Sequence, residues 1–199
     1  MIAVIDYGAG NIFSVKNALD YLGCENKLTK SADDIKNADG IILPGVGAFP
    51  WAMKMLNESG LVDTIKAEAK KKPFLGICLG MQLLFEKSYE FEECEGLGLI
   101  KGYVDKIPET DLIIPHMGWN SLDIRQDSRL FAGISSGEYV YFVHSYYLKA
   151  ENEEIVAAST EYSTHIHAAV EAGNVFACQF HPEKSGDVGL KILKNFVEM

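Results

Sequence analysis

Phe74-Leu75-Gly76-Ile77-Cys78-Leu79-Gly80 runs from an apolar β segment straight into a helical one, with no loop residues between them. Phe74 to Cys78 is the short, wholly apolar run of a parallel strand buried on both faces. From Leu79 the pattern predicts a helix that extends to Ser88, with Met81, Leu84 and Phe85 as its core residues. A strand that meets a helix at one residue forms a nucleophile elbow, here with cysteine in place of serine. Glycines on both sides are needed because the tight turn brings backbone close to residue 78. The corner lifts Cys78 to the top of the sheet, where free amides and the positive end of the helix dipole favour thiolate over thiol. Those amides, starting with that of Leu79, can also donate to an oxyanion formed when the sulfur attacks a carbonyl. Cys24 and Cys178 read instead as small buried hydrophobes.

Working outward from the elbow, residues 1 to about 88 alternate strand and helix. Ile2–Ile5 and Ile41–Leu43 are further buried strands, the second ended by Pro44-Gly45-Val46-Gly47. Ile12, Val15, Leu19 and Leu22 mark one helix face that Gly23 is placed to end. Ser31 with Asp34 is a capping signal for a brief second helix, and Trp51 to Lys72 reads as helical throughout. This order predicts an α/β fold with a mostly parallel, twisted sheet flanked by helices. Beyond Gly96 the helical period fades into short β segments at 102–107, 119–124, 139–148, 155–159, 165–171 and 175–180. Ala172-Gly173-Asn174 is a hairpin turn between the last two, and a final helix spans Val188 to Val197. No repeat, low-complexity tract or linker divides the chain, so residues 1–199 are expected to form one domain.

Composition narrows the function. Of the 199 residues, 18 are Lys or Arg and 28 Asp or Glu, a net charge of −10, and arginine stands only at 125 and 129. Such a chain is poorly suited to gripping a nucleic acid backbone. The longest uncharged stretch, fourteen residues from Gly40 to Met53, is short of the ~20 apolar residues of a membrane span. The N-terminus has neither the basic region nor the apolar run of a secretory signal, so a cytoplasmic protein is expected. The four cysteines, at 24, 78, 94 and 178, form no Cys-x-x-Cys pair, which leaves zinc ribbons and dithiol redox chemistry without support. His165 and His167 share a strand face but lack a third ligand, so they read as ordinary strand histidines.

A thiolate nucleophile needs a proton shuttle. Phe180-His181-Pro182-Glu183 follows the last strand segment, and residues 181 and 183, spaced i and i+2, would point to one side of an extended chain. Pro182 stiffens the pair. The Glu183 carboxylate can fix the His181 tautomer and stabilise its protonated form, the part played by the third member of a catalytic triad. The acidic run from Glu86 to Glu95 reads as an ordinary solvated turn, with Glu90 set apart by the resemblance given next.

The elbow with Met81-Gln82, together with His181-Pro182-Glu183, resembles the class I, triad-type glutamine amidotransferases. Five further blocks resemble the glutaminase subunits of imidazole glycerol phosphate synthase within that class. They are Asp6-Tyr7-Gly8-Ala9-Gly10-Asn11, Pro44-Gly45-Val46-Gly47-Ala48-Phe49, His116-Met117-Gly118-Trp119-Asn120, Phe142-Val143-His144-Ser145-Tyr146 and His181-Pro182-Glu183-Lys184-Ser185. The resemblance implies a flavodoxin-like sheet and a reaction that hydrolyses L-glutamine to glutamate and ammonia through a thioester on Cys78. It implies His181 and Glu183 as catalytic partners, with Leu79 and either Val46 or Gly47 as oxyanion donors. Gly47, Gln82, Glu90, Ser145 and Tyr146 match positions that hold glutamine, and a Glu90 carboxylate suits its α-ammonium. No cofactor and no metal is implied. The implied partner is a (β/α)₈ cyclase subunit, forming a heterodimer that makes imidazole glycerol phosphate and AICAR in histidine biosynthesis. A barrel of that kind needs ~250 residues of its own, which points to a separate polypeptide. Asn11, Trp119 and Lys184 lie in blocks specific to this subunit and are the expected interface residues.

Two other readings compete. A stand-alone cysteine hydrolase acting on γ-glutamyl compounds or peptides would share the elbow and histidine, but would not need the blocks at 6–11 and 116–120. A nucleotide-binding module is suggested by Gly8-x-Gly10 after the first strand, yet Phe13 stands where the third glycine of that fingerprint belongs.

Overall fold

The computed structural model describes residues 1–199. Its first part runs β1 (Ile2–Ile5), α1 (Ile12–Tyr21), β2 (Asn26–Thr29), α2 (Ala32–Asn37), β3 (Gly40–Gly45), α3 (Phe49–Glu58), α4 (Val62–Glu68), β4 (Phe74–Cys78) and α5 (Leu79–Leu83). Strands then dominate: β5 (Phe85–Ser88), β6 (Cys94–Glu95), β7 (Ile100–Lys106), β8 (His116–Ser121), β9 (Asp123–Ile124), β10 (Tyr139–His144) and β11 (Tyr146–Ala150). The chain ends with β12 (Val156–Tyr162), β13 (Thr164–Ala172), β14 (Val175–Cys178) and α6 (Gly186–Val197). No helix is long and apolar enough to cross a membrane.

Eight strands form the central sheet in the order β2-β1-β3-β4-β14-β13-β12-β9. Pairing is parallel from β2 through β14 and antiparallel from β14 through β9. Successive side chains of the inner strands alternate between two cores, as a sheet buried on both faces requires. Val4, Ile42, Leu75, Ile77 and Phe176 pack with Val15 and Leu19 of α1 and with Ile192 and Phe196 of α6. Ile5, Ile41, Leu43 and Phe74 pack on the other face with Phe49 and Leu56 of α3, Ile65 of α4 and Met81 of α5. Each large apolar side chain taken wholly out of water contributes about 1.5–3 kcal/mol. Ser31 caps α2 by accepting from the Asp34 amide, as its position predicts.

Two smaller sheets lie outside this layer. β8 and β10 form an antiparallel ribbon, and β11-β7-β5-β6 form a four-stranded sheet. Several element boundaries differ from those that the sequence predicts. The helix expected over 51–72 is two helices, because Gly60 adopts a left-handed φ of 71° and Leu61 turns into the core. The elbow helix stops at Leu83 instead of reaching Ser88. Leu83, Leu84 and Phe85 give their carbonyls to the amides of residues 97–100, which draws the chain into β5. Phe85 is therefore a core residue of a strand. β3 continues through Pro44 and Gly45 instead of ending before them. The expected strands over 119–124 and 139–148 each divide between two sheets, the second crossing over at Ser145.

The β3–β4–α5 corner holds three glycines against one another's backbone. A Cβ at Gly80 would lie 1.8 Å from the Leu43 carbonyl oxygen, and one at Gly76 would lie 2.8 Å from that of Gly80. Gly80→Ala must therefore separate α5 from β3. It is expected to lower stability by about 3 kcal/mol or more, the upper range for overpacking, read as a fall in the urea midpoint at unchanged slope.

Candidate active site

Cys78 is the last residue of β4 and the cap of α5, with φ 55° and ψ −113°. Few non-glycine residues adopt a positive φ, and those that do cluster at functional sites. Gly45 stands beside Cys78 in the β3–β4 register, and a Cβ there would meet the Gly80 nitrogen at 2.7 Å. The elbow thus depends on glycine in both adjoining strands. Cys78 is 7% exposed at the floor of a cleft of about 330 Å³.

His181 reaches the same cleft from beyond the C-terminal end of β14, the strand paired to β4. Its Nδ1 lies 2.8 Å from Glu183 Oε1, and both side chains are almost fully buried. The expected pairing is present, but its geometry differs from an extended chain. Pro182–Lys184 forms a 3-10 turn, with proline at its start, that curls the carboxylate under the ring. The ring's Nε2 has no hydrogen-bond partner and is left on the side of the sulfur. Burial alone would push the imidazole down. The neighbouring Cys78 sulfur and the Glu183 carboxylate outweigh burial and raise His181 from 6.5 to about 10.

The remaining expected residues line the cleft from four segments. Leu79 and Gln82 come from α5, and Val46 and Gly47 from the loop after β3. Glu90 stands on a turn after β5, and Ser145 and Tyr146 at the crossing from β10 to β11. Gly47 has φ 100° with open space around its α-carbon, so its amide lies in an uncrowded loop. Glu90 is not a solvated acidic residue: it is 8% exposed and accepts the Phe49 amide at 2.7 Å, which closes the start of α3. Burial raises the Glu90 carboxyl above its ordinary range, opposed by that amide. Its other oxygen makes no hydrogen bond within the protein, and the residue lines the cleft.

Several neighbours of the site carry no distinct signal in the sequence. Gln179 is fully buried, donates to Cys78 Sγ at 3.8 Å and accepts from Gln82 Nε2 at 2.9 Å. Its only hint is its place two residues before His181, on the same side of the chain leaving β14. Pro115, Val143 and His144 also line the cleft, and the Val143 carbonyl lies 4.0 Å from the thiol. The loop after β1 closes on the elbow, with Gly10 packed on the Pro44–Gly45 backbone and the Tyr7 hydroxyl beside Gly45.

The three expected interface residues lie outside the cleft lining, on neighbouring segments. Asn11 is half-buried, accepts from Ser14 Oγ at 2.8 Å and begins α1. Lys184 is exposed on the turn that carries Glu183. Trp119 is 55% exposed on β8, its ring against that of Tyr141, whose carbonyl accepts the His181 amide. His165 and His167 lie elsewhere, and no group of three metal-ligating side chains is gathered anywhere in the chain.

Comparison with known proteins places this geometry. The family described as Glutamine amidotransferase class-I matches residues 3–199. The imidazole glycerol phosphate synthase subunit HisH of Caldanaerobacter subterraneus subsp. tengcongensis is 55% identical, over 100% of this chain and 98% of that protein. The HisH subunit of Listeria monocytogenes serotype 4a is 51% identical, over 100% and 96% respectively. Among solved structures, PurLQS from Thermotoga maritima aligns with a TM-score of 0.76 at 23% identity, covering 99% of this chain and 97% of its own. A glutamine amidotransferase crystal structure aligns at 0.77 and 21%, covering 100% and 98%. At that identity the two structures speak for the fold alone.

The raised His181 implies a pH dependence. Its folded value of about 10 lies above the ordinary 6.5. The stabilisation is therefore complete below about pH 6.5 and is lost as pH rises through 10. The ring should be protonated at pH 8 in the ¹⁵N imidazole spectrum of the wild type. In Cys78→Ala its pKa should fall, and the loss of stability between pH 7 and 10 should be smaller than in the wild type.

Proposed function

The chain belongs to the class-I glutamine amidotransferase family, and within it to the HisH subunits of imidazole glycerol phosphate synthase. From that premise we propose that its cleft hydrolyses L-glutamine and passes the ammonia to a cyclase subunit. The observation that carries this reading is the His181 ring, fixed by Glu183 on one nitrogen and open toward the Cys78 sulfur on the other.

Glutamine enters with its α-ammonium toward the open oxygen of Glu90 and its side-chain amide over Cys78. The Cys78 sulfur attacks as thiolate, its proton taken up by His181 Nε2, and as the S–C bond forms the amide carbonyl oxygen takes the negative charge. The Leu79 amide, with that of Gly47 or Val46, stabilises this oxyanion; one such donor is worth on the order of 10²–10³ in rate. The C–N bond then breaks as the His181 imidazolium gives its Nε2 proton to the departing nitrogen, leaving a thioester and ammonia. Neutral His181 next takes a proton from water, which attacks the thioester through a second oxyanion and releases glutamate. A proton held by His181 near neutral pH suits the first step, which needs an acid ready for the leaving group.

Ammonia set free in water would be protonated and lose the lone pair with which it attacks. Release against a docked synthase subunit avoids that loss. Support for a docking face comes from exposed apolar residues in or next to the segments that line the cleft: Val46 at 42%, Phe91 at 82%, Met117 at 61% and Trp119 at 55%. Met117 and Trp119 alternate on the exposed side of β8, beside the cleft-lining Pro115, and offer apolar area to a docked subunit. Asn11, Trp119 and Lys184 belong to that face.

Two measurements test the assignment. Cys78→Ala should abolish glutamine-dependent synthesis by the complex while synthesis from added ammonium salts continues. Near wild-type use of glutamine by this variant would remove the sulfur from the mechanism. Lys184→Glu should weaken binding in a titration of cyclase into labelled glutaminase without lowering thermal stability, and equal affinity would move the docking face away from the turn at 182–184.

A further inference from the structure

Two histidines beside the cleft take no part in the steps above. His116 stands on β8 and His144 directly opposite it on β10. Both are buried, at 3% and 6% exposure. Their rings meet edgewise, with His116 Nδ1 2.9 Å from His144 Nε2. The His116 ring is stacked between Tyr162 at 3.9 Å and Phe142 at 4.7 Å between centroids.

The hydrogen bonds fix every proton in this pair. His144 Nδ1 lies 2.9 Å from the Tyr146 carbonyl, which can only accept, so Nδ1 carries the hydrogen. In a neutral ring His144 Nε2 then bears a lone pair, and the 2.9 Å contact requires a hydrogen on His116 Nδ1. His116 Nε2 is left as an acceptor, and the Asn120 side-chain amide stands 3.4 Å from it while also donating to the Glu161 carbonyl at 3.1 Å. The bonds therefore run one way, from Asn120 through His116 and His144 to the Tyr146 carbonyl. That carbonyl also receives Gln82 Nε2 at 3.0 Å. Burial pushes His116 down to about 4 and is the main influence taking His144 to about 3, consistent with two uncharged rings.

We infer that His116 and His144 form a fixed relay through which β8 positions the Ser145–Tyr146 wall against glutamine, with His116 a positioning residue that touches no substrate. The inference rests on the glutaminase reading of the cleft. Ser145 and Tyr146 sit where the chain crosses between two sheets, and no ladder pairs Ser145 on both sides. The His144 bond reaches across that crossing, and His116 holds His144 in the tautomer that makes the bond. Met117 and Trp119 alternate with His116, Gly118 and Asn120 along β8. The strand thus presents its exposed apolar residues on one face and the relay on the other.

The test combines kinetics with a spectroscopic readout. His116→Phe keeps a ring in the aromatic stack and removes the donor to His144. His116→Asn places an amide N–H near the position of Nδ1. In the glutaminase–cyclase complex His116→Phe should raise the glutamine KM about tenfold with kcat within about threefold, the pattern of lost uniform binding, and His116→Asn should restore most of the loss. An unchanged KM, or a fall in kcat alone, would overturn the relay. Independently of activity, ¹⁵N imidazole spectra of the wild type at pH 7 should show residues 116 and 144 as neutral Nδ1–H tautomers. Either ring as the Nε2–H tautomer would also overturn it. Absence of glutamine hydrolysis by the wild-type complex would instead defeat the reading of the cleft, and the relay's role with it, while the tautomers still report whether the hydrogen-bonded chain exists.

Discussion

Backbone against backbone at the β3–β4–α5 corner is the constraint from which the site follows. Gly45, Gly76 and Gly80 meet there at distances that leave no room for a methyl group. The chain can turn from strand to helix within one residue because no side chain intervenes. That turn forces Cys78 into a positive φ, which costs of order 1–3 kcal/mol and persists only where surrounding packing dictates it. The packing here comes from two cores that sandwich the sheet, so the strain is imposed by structure far larger than the corner. The same turn frees the first helical amides beside the sulfur. Strain, nucleophile and oxyanion donors are therefore consequences of one crowded contact.

A second constraint is where charge is tolerated. Three imidazoles lie within or beside one small cleft, and burial acts on all of them in the same direction. His116 and His144 have no carboxylate partner, and burial leaves both neutral near pH 7. His181 alone has a buried carboxylate on one side and the Cys78 sulfur on the other, both favouring the protonated ring, and it is raised instead. Environments that push like groups apart assign their chemistry: one ring is suited to carry a proton and two to hold geometry. Glu90 shows the same economy, with one oxygen committed to the first amide of α3 and the other left for a ligand. Its hydrogen bond also joins the turn after β5 to the loop after β3, so ligand contacts on those segments are not independent.

The sequence showed the parallel half of the fold well, because buried strands and amphipathic helices leave their periods in local composition. β1, β3, β4, α1 and the cap of α2 follow from spacing and end signals alone. The helix expected over 51–72 breaks at a local feature, the left-handed Gly60; two other failures share a cause in distant contacts. Leu83-Leu84-Phe85 is equally apolar as helix or strand, and what ends α5 is the amides of residues 97–100. Ser145 interrupts a continuous β-type run only because neighbouring segments pair with two different sheets. In the site, Cys78, His181 and Glu183 could be singled out from their own chemistry and spacing, whereas Glu90 stood out from its acidic run only through the family resemblance. Gln179, Val143 and the role of His144 could not, since a buried amide, a carbonyl and a neutral imidazole gain meaning only from the atoms they face.

These two classes of residue divide the cleft mechanically. The elbow side, Cys78, Leu79 and Gln82, is embedded in the central sheet and its packed helix, where displacement would open a core. The opposite wall starts at Val143 and His144 in a two-stranded ribbon and crosses at Ser145 to Tyr146 of the four-stranded sheet; the ribbon's attachments include the His181 amide on the Tyr141 carbonyl and the Tyr141 amide on Ser185 Oγ. A two-stranded ribbon alone is marginally stable, so its position is set by whatever packs on both its faces. The inner face is held by the histidine relay and its aromatic stack. The outer face presents Met117 and Trp119 to solvent. A subunit seated there would complete the support of the ribbon, fixing the wall that faces the nucleophile without touching the elbow.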